Sequence, residues 1–167
     1  MPGPLAKLGR RIMMLVARAR VTAAEDATPL QTMSLDLLAD EHKDGVERLQ
    51  NYGFSARPHA GADALVIFIG GNRDHGVVLG ADDRRYRPAD LKPGEVVVYD
   101  DLGHEIRLTR TGLSITAPET IEIAAPNISI TGQVALDGDI TADGITFKSH
   151  VHPENDSGGP TSQPIPG

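Results

Sequence analysis

The sequence predicts a mostly β chain in two parts: a Greek-key barrel of OB type, then a repetitive β ribbon with one apolar stripe. Three observations lead there. Eighteen glycines and twelve prolines in 167 residues suit many turns and short strands better than long helices. Apolar runs of strand length recur between Val21 and Leu108, separated by turn chemistry. Beyond Leu108, apolar pairs spaced i, i+2 recur every five to eight residues, with Gly, Pro, Asn or Asp between them. The expected organisation is a basic amphipathic segment over 1–20, a barrel over 21–108, a shaft over 109–147 and an end segment over 148–167.

The first segment carries Lys7, Arg10, Arg11, Arg18 and Arg20 and no acid before Glu25. Leu5, Leu8, Ile12, Leu15 and Val16 fall at helical spacing, which predicts a short amphipathic helix with a cationic face. Its apolar run, Ile12 to Ala17, is shorter than the roughly 7–15 residues of a secretory signal and is closed by Arg18. No stretch approaches the about 20 apolar residues of a membrane span. Two readings stay open: a helix that docks on a partner or an anionic surface, or a helix packed on its own domain.

The barrel strands follow. Thr32 to Leu37 alternates with period two. Leu65-Val66-Ile67-Phe68-Ile69 is a continuous apolar run, read as a strand buried on both faces. Gly70 to Gly76 is turn chemistry before Val77-Val78-Leu79. Pro93-Gly94 precedes Glu95 to Tyr99, and Asp100-Asp101-Leu102-Gly103 turns the chain into His104 to Leu108. A barrel of this kind names no function by itself.

In the ribbon the pairs are Leu113/Ile115, Ile121/Ile123, Ile128/Ile130, Val134/Leu136, Ile140/Ala142 and Ile145/Phe147. Members of a pair face the same side of a strand. One such ribbon cannot enclose a core and would expose its stripe. It either lies on another domain or wraps with identical chains around a common axis. The steady repeat favours the second, and three chains are the natural number because three short strands per layer close a triangular prism.

Directly after the last pair comes Phe147-Lys148-Ser149-His150-Val151-His152-Pro153-Glu154. On an extended segment His150 and His152 point the same way, about 6.5 Å apart along the strand. Two histidines per chain are too few for a closed site, but on a threefold axis they become six imidazoles in two layers. Six nitrogens favour iron or nickel over four-coordinate zinc. A lone His-x-His is a weak motif; its place at the end of a repeat that already demands assembly gives it weight. The tail from Glu154 to Gly167 is rich in Pro and Gly, which leaves irregular chain or a tail folded over the tip with Ile165 on apolar surface.

Composition removes other chemistries. The net charge of −7, from 16 basic and 23 acidic side chains, argues against nucleic acid as partner. No cysteine leaves no thiolate site or thiol nucleophile, and aromatics at 4% with no tryptophan provide no stacking platform for single strands. The acidic neighbours Glu25-Asp26, Asp82-Asp83 and Asp100-Asp101 face opposite ways on a strand and read as turn residues. His75 and His104 read as turn or edge residues, His42 and His59 as loop residues.

Several marks in their order resemble one family, over most of the chain from about Leu30 onward. They are Gly71-Asn72-Arg73-Asp74-His75-Gly76-Val77-Val78-Leu79, Asp101-Leu102-Gly103-His104-Glu105-Ile106, the Ile-x-Ile repeats, and Ser149-His150-Val151-His152-Pro153-Glu154. The chain resembles the baseplate spike proteins of contractile phage tails, the Mu-type baseplate assembly protein V family, with related spikes in P2-like phages and R-type tailocins. The resemblance implies a homotrimer with an N-terminal OB barrel, an intertwined trimeric β-helix and a pointed apex. It implies one buried iron ion per trimer, held by His150 and His152. Some relatives also hold calcium and chloride in the shaft; Asp137, Asp139 and Asp143 are equally well explained as turn residues. The implied role is to pierce the bacterial outer membrane when the sheath contracts. The implied location is the virion tail baseplate, with a baseplate hub protein as partner. There is no room for an inserted lysozyme domain, so no enzymatic activity is implied.

Two other functions stand beside it. One is a monomeric OB-type binding or adaptor module with an incidental His-x-His, which mass in solution would distinguish. The other is a histidine-metal hydrolase using a carboxylate such as Glu154 and an open coordination site, which metal-dependent hydrolysis would reveal.

Overall fold

The computed structural model describes residues 3–38 and 40–152. The chain divides into two units, one ending at Ile121 and the other beginning at Glu122. In the first, helix α1 spans Pro4–Met13, with proline in its first turn and Arg10 and Arg11 in its last, where cations meet the negative end of the helix dipole. It stops well before Arg20. Strand β1, Val16–Glu25, takes over because Arg18 and Arg20 alternate outward against Ala19 and Val21 inward, a period of two. No residue of α1 is buried. Its C-terminal end lies against the 3-10 turn Ile69–Gly71, where a Cβ on Gly71 would come within 2.6 Å of the Arg11 carbonyl oxygen. Gly71 also has φ +70°, so the position requires glycine on two counts.

Strands β2 (Thr32–Asp36), β3 (His42–Arg48), β4 (Asp63–Phe68) and β5 (Gly76–Asp82) complete a closed barrel with β1, in the order β1-β2-β3-β5-β4. Its pairs are antiparallel except β3–β5, where Glu47 faces Val77 and Arg48 faces Val78. Val21, Met33, Leu35, Val66, Phe68 and Val78 fill the interior, each no more than 1% exposed. Burying each such side chain is worth roughly 1.5–3 kcal/mol.

The apolar run 65–69 is buried on one face only. Ala64, Val66 and Phe68 point inward, while Leu65 is 44% exposed, because a closed barrel of this size has one interior and its outer wall meets solvent. The long β3–β4 connection is tied down by the buried Gln31 and the half-buried Arg48. Gln31 Nε2 donates to Asp26 Oδ1 (2.7 Å) and the Ala56 carbonyl (3.2 Å), while Arg48 Nη1 donates to Gln31 Oε1 (2.8 Å) and to Ala56 O (2.6 Å).

Strands β6 (Val96–Tyr99), β7 (Glu105–Leu108) and β8 (Leu113–Thr116) form a separate antiparallel sheet in the order β6-β7-β8. The expected change of character at Leu108 therefore falls inside a sheet. Five strands already close the barrel, so β6 and β7 have no place in it and pair onward with β8. In the second unit, β9 (Thr141–Ala142) and β10 (Ile145–Thr146) form a small hairpin. Asp143 (φ 49°) and Gly144 (φ 82°) supply the two left-handed residues that a tight two-residue turn needs. Among the described residues, 117–140 contain no strand.

Candidate metal centre and assembly face

The three-stranded sheet sorts its side chains by register. Val96, Leu108 and Leu113 lie in one rank, and Val98, Ile106 and Ile115 in the next but one, so all six share a face. They are 43–62% exposed. The ranks between and beyond them, Val97-Arg107-Ser114 and Tyr99-Glu105-Thr116, take the other face. There Arg107 pairs with Glu105 and Asp90, both at 3.0 Å. Hydrogen bonds from Arg107 hold the Asp90 carboxyl below its ordinary range, and those to Glu105 and Asp90 push Arg107 up. One face is thus a finished polar surface and the other an uncovered apolar one. A barrel running to Leu108 would include β6 and β7; the structure instead pairs them with β8 and leaves this face uncovered. The signal was present, because Val96/Val98 and Ile106/Leu108 have the same i, i+2 spacing as the later repeats.

The second unit repeats the pattern with no sheet beyond the β9–β10 hairpin among the described residues. Ile123, Ile128, Ile130, Val134, Leu136, Ile145 and Phe147 are all more than half exposed. Among the described residues, 117–139 make no backbone–backbone hydrogen bond. A stretch whose apolar side chains are exposed, and whose backbone groups find no backbone partner among the described residues, leaves a surface that another chain could cover.

At the end of this stretch lie His150 and His152. The chain enters them through a turn rather than as the extended strand the sequence suggested: the His150 N–H donates to Thr146 O at 3.0 Å. The two rings are nonetheless adjacent, 5.2 Å between centroids and nearly perpendicular at 89°. His150 Nδ1 lies 2.7 Å from the Phe147 carbonyl oxygen. A carbonyl only accepts, so Nδ1 carries the proton, and in the neutral ring the lone pair sits on Nε2. That is the arrangement in which a backbone carbonyl orients a metal-ligating imidazole. Two adjacent imidazoles, one with its Nε2 lone pair free of the Phe147 contact, are a donor set of the kind a transition-metal ion takes. Among the described residues, no cluster of three His, Asp or Glu within one chain could hold a metal. Glu154, Ile165 and the rest of the tail lie outside the described residues. Of the shaft acids, Asp139 Oδ1 accepts the N–H groups of Ile140 (2.8 Å) and Lys148 (3.0 Å), and Asp143 holds the turn.

Several other histidines and acids are tied to neighbours. His42 lies in β3, not in a loop, with Nδ1 2.7 Å from Asp36 and Nε2 2.9 Å from Asp44. Hydrogen bonds to Asp36 and then Asp44 raise its pKa. His59 pairs with Asp101 at 3.0 Å and stacks near Tyr86. Asp83 begins a turn, with Arg85 donating from its backbone and side chain, and the guanidinium lowers its pKa to about 2.

Residues 18–85 match the family described as Bacteriophage Mu Gp45, N-terminal, the segment that carries the barrel. Along nearly its full length the chain is similar to the baseplate puncturing device gp45 of Escherichia phage Mu. The two are 38% identical over 182 aligned positions, covering 94% of this chain and 92% of that protein. It is also similar to the Mu-like prophage FluMu protein gp45 of Haemophilus influenzae, 36% identical over 181 positions, covering 97% and 96%.

Proposed function

Because the chain belongs to the bacteriophage Mu Gp45 family, we propose that it is the puncturing spike of a contractile tail baseplate, a virion component that acts mechanically and without catalysis. Three copies assemble. Each contributes an OB-type barrel near its N-terminus, and residues from about 109 to 147 intertwine as a trimeric β-helix. Residues 148–167 form the apex, where His150 and His152 of three chains hold one iron ion on the common axis. Sheath contraction drives this tip through the bacterial outer membrane, while the barrel end joins the baseplate hub, with α1 as its attachment element.

One observation carries this reading: among the described residues, 117–139 expose their apolar side chains and make no backbone–backbone hydrogen bond, although they are rich in strand-forming residues. Intertwining identical chains satisfies both together. Each strand bonds to a neighbouring copy, and the stripes meet inside. The same arrangement suits a piercing tool, since pulling out one chain breaks many interchain hydrogen bonds at once. An ion at the apex ties together the end most prone to fray.

The test is light scattering with elemental analysis on one tag-free sample. The expected result is a three-chain mass with about one iron per three chains. His150→Ala or His152→Ala should remove the iron and leave the mass unchanged. A one-chain mass, or an iron content indifferent to both substitutions, would defeat the reading.

A further inference from the structure

We propose that His104 forms a second metal site, resting on the three-chain reading, in which three imidazoles from three copies bind a zinc-class divalent cation at the hairpin end of the β6–β8 sheets. Strand β7 is the middle strand of its sheet, and its apolar face carries Leu108 and Ile106. His104 is two residues before Ile106, so it continues the same row past the last apolar rank. Asp100 continues the Val98 row beside it. When the apolar face of each sheet turns to a common axis, the middle strand presents the row nearest that axis. His104 is then its terminal residue, at the mouth of the apolar interior. An open pocket of about 340 Å³ lies on this face, bordered by Val98, Asp100, His104, Ile106, Ile115 and Ile121.

The imidazole is held as a ligand would be. Asp100 Oδ1 accepts the backbone N–H groups of Leu102 (2.9 Å) and His104 (3.0 Å), which fixes the carboxylate. Its other oxygen, Oδ2, lies 2.7 Å from His104 Nδ1. The carboxylate only accepts, so Nδ1 carries the proton and Nε2 of the neutral ring offers the lone pair. A carboxylate behind an imidazole is the outer support that orients metal-binding histidines and strengthens their basicity. Three such imidazoles with one water make a four-coordinate site, which suits zinc and its spectroscopic substitute cobalt(II) better than an ion that demands six ligands. The site differs from the apex in residues, ligand number and preferred metal.

The test uses the full-length, tag-free chain carrying His150→Ala and His152→Ala, so that the apex cannot compete. Cobalt(II) is titrated in and its visible d–d absorption is read, with the mass followed by light scattering. The expected result is saturation at one cobalt per three chains, displaced by zinc. Adding His104→Ala should abolish the absorption. Adding Asp100→Asn instead should weaken binding about 10–100-fold, as loss of an outer-shell partner does. A trimer that takes up no cobalt, or whose uptake ignores His104→Ala, overturns the site and leaves the spike reading standing. A one-chain mass for the wild type overturns the three-chain reading, and the site falls with it.

Discussion

The barrel and the stretch that follows it use the same apolar residue types to opposite effect. In the barrel, Val21, Leu35, Val66 and Phe68 take the inward positions of their strands, and closure of five strands hides them from water. In β6–β8, Val98, Ile106 and Ile115 share one face just as regularly and remain about half exposed. The difference is topological. A barrel is a sheet that covers its own inner face, whereas a three-stranded sheet or a lone ribbon has a face that only another surface can cover. One region is finished by its own chain, and the other keeps an open face, which the proposed three-chain assembly would cover.

The contrast can be broken at several points. The largest effect belongs to the barrel core: Phe68→Ala removes a side chain 1% exposed and should cost about 3–5 kcal/mol in chemical denaturation. A cost below 1 kcal/mol would mean that the barrel interior is not the stabilising core. Next, Ile106→Asp adds a charge to a face that is 43% exposed in one chain, so the barrel's own thermal transition should hardly move. Association should fail all the same, with the mass in light scattering dropping from three chains to one. A trimer that tolerates the aspartate would show that this face is not buried in the assembly.

Smaller effects sharpen the outline. Gly71→Ala forces a left-handed φ of +70° and a clash with the Arg11 carbonyl, at a cost of about 1–3 kcal/mol. Limited proteolysis should then cut faster within α1; unchanged cleavage would show that the helix does not depend on this contact. The smallest effect is electrostatic and confined to the barrel. His42 has a raised pKa in the folded state, so its contribution is fully present below the ordinary 6.5 and fades as pH rises through the raised value. His42→Gln should therefore differ from wild type at mildly acidic pH and converge with it in alkali. Asp83 runs the other way: its pKa of about 2 lies below the ordinary 3.8, so its contribution holds above 3.8 and is lost as pH falls toward 2. A carboxyl titration of Asp83 by NMR near 4 would remove the Arg85 pairing from the account.

How far the sequence reaches differs element by element. β2 was legible because Met33 and Leu35 keep strict period two against a buried interior. β3 was not, because only Val46 of its seven residues is buried, and a strand with one inward side chain shows no hydrophobic period. β1 was partly hidden: Leu15 and Val16 continue the helical spacing of Leu5, Leu8 and Ile12, although the helix has ended at Met13 and the strand begins at Val16. For the candidate metal centre, the His150/His152 pair was visible as a motif, while the Phe147 carbonyl that sets the His150 tautomer comes from the turn. In the sequence His104 reads as a turn or edge residue, because its partner Asp100 and its row on β7 are products of the hairpin register.

By itself the sequence determined that the chain is mostly β, that its later part carries one apolar stripe, and that two histidines end it. Those properties live in residue spacing, which is local and survives without a fold. Only the tertiary structure decided where the barrel closes, that β6 and β7 belong with β8, and that Leu65 faces outward while Val66 faces inward. These depend on which strands pair. Pairing is fixed by the balance of many distant contacts, and no window along the chain contains that balance.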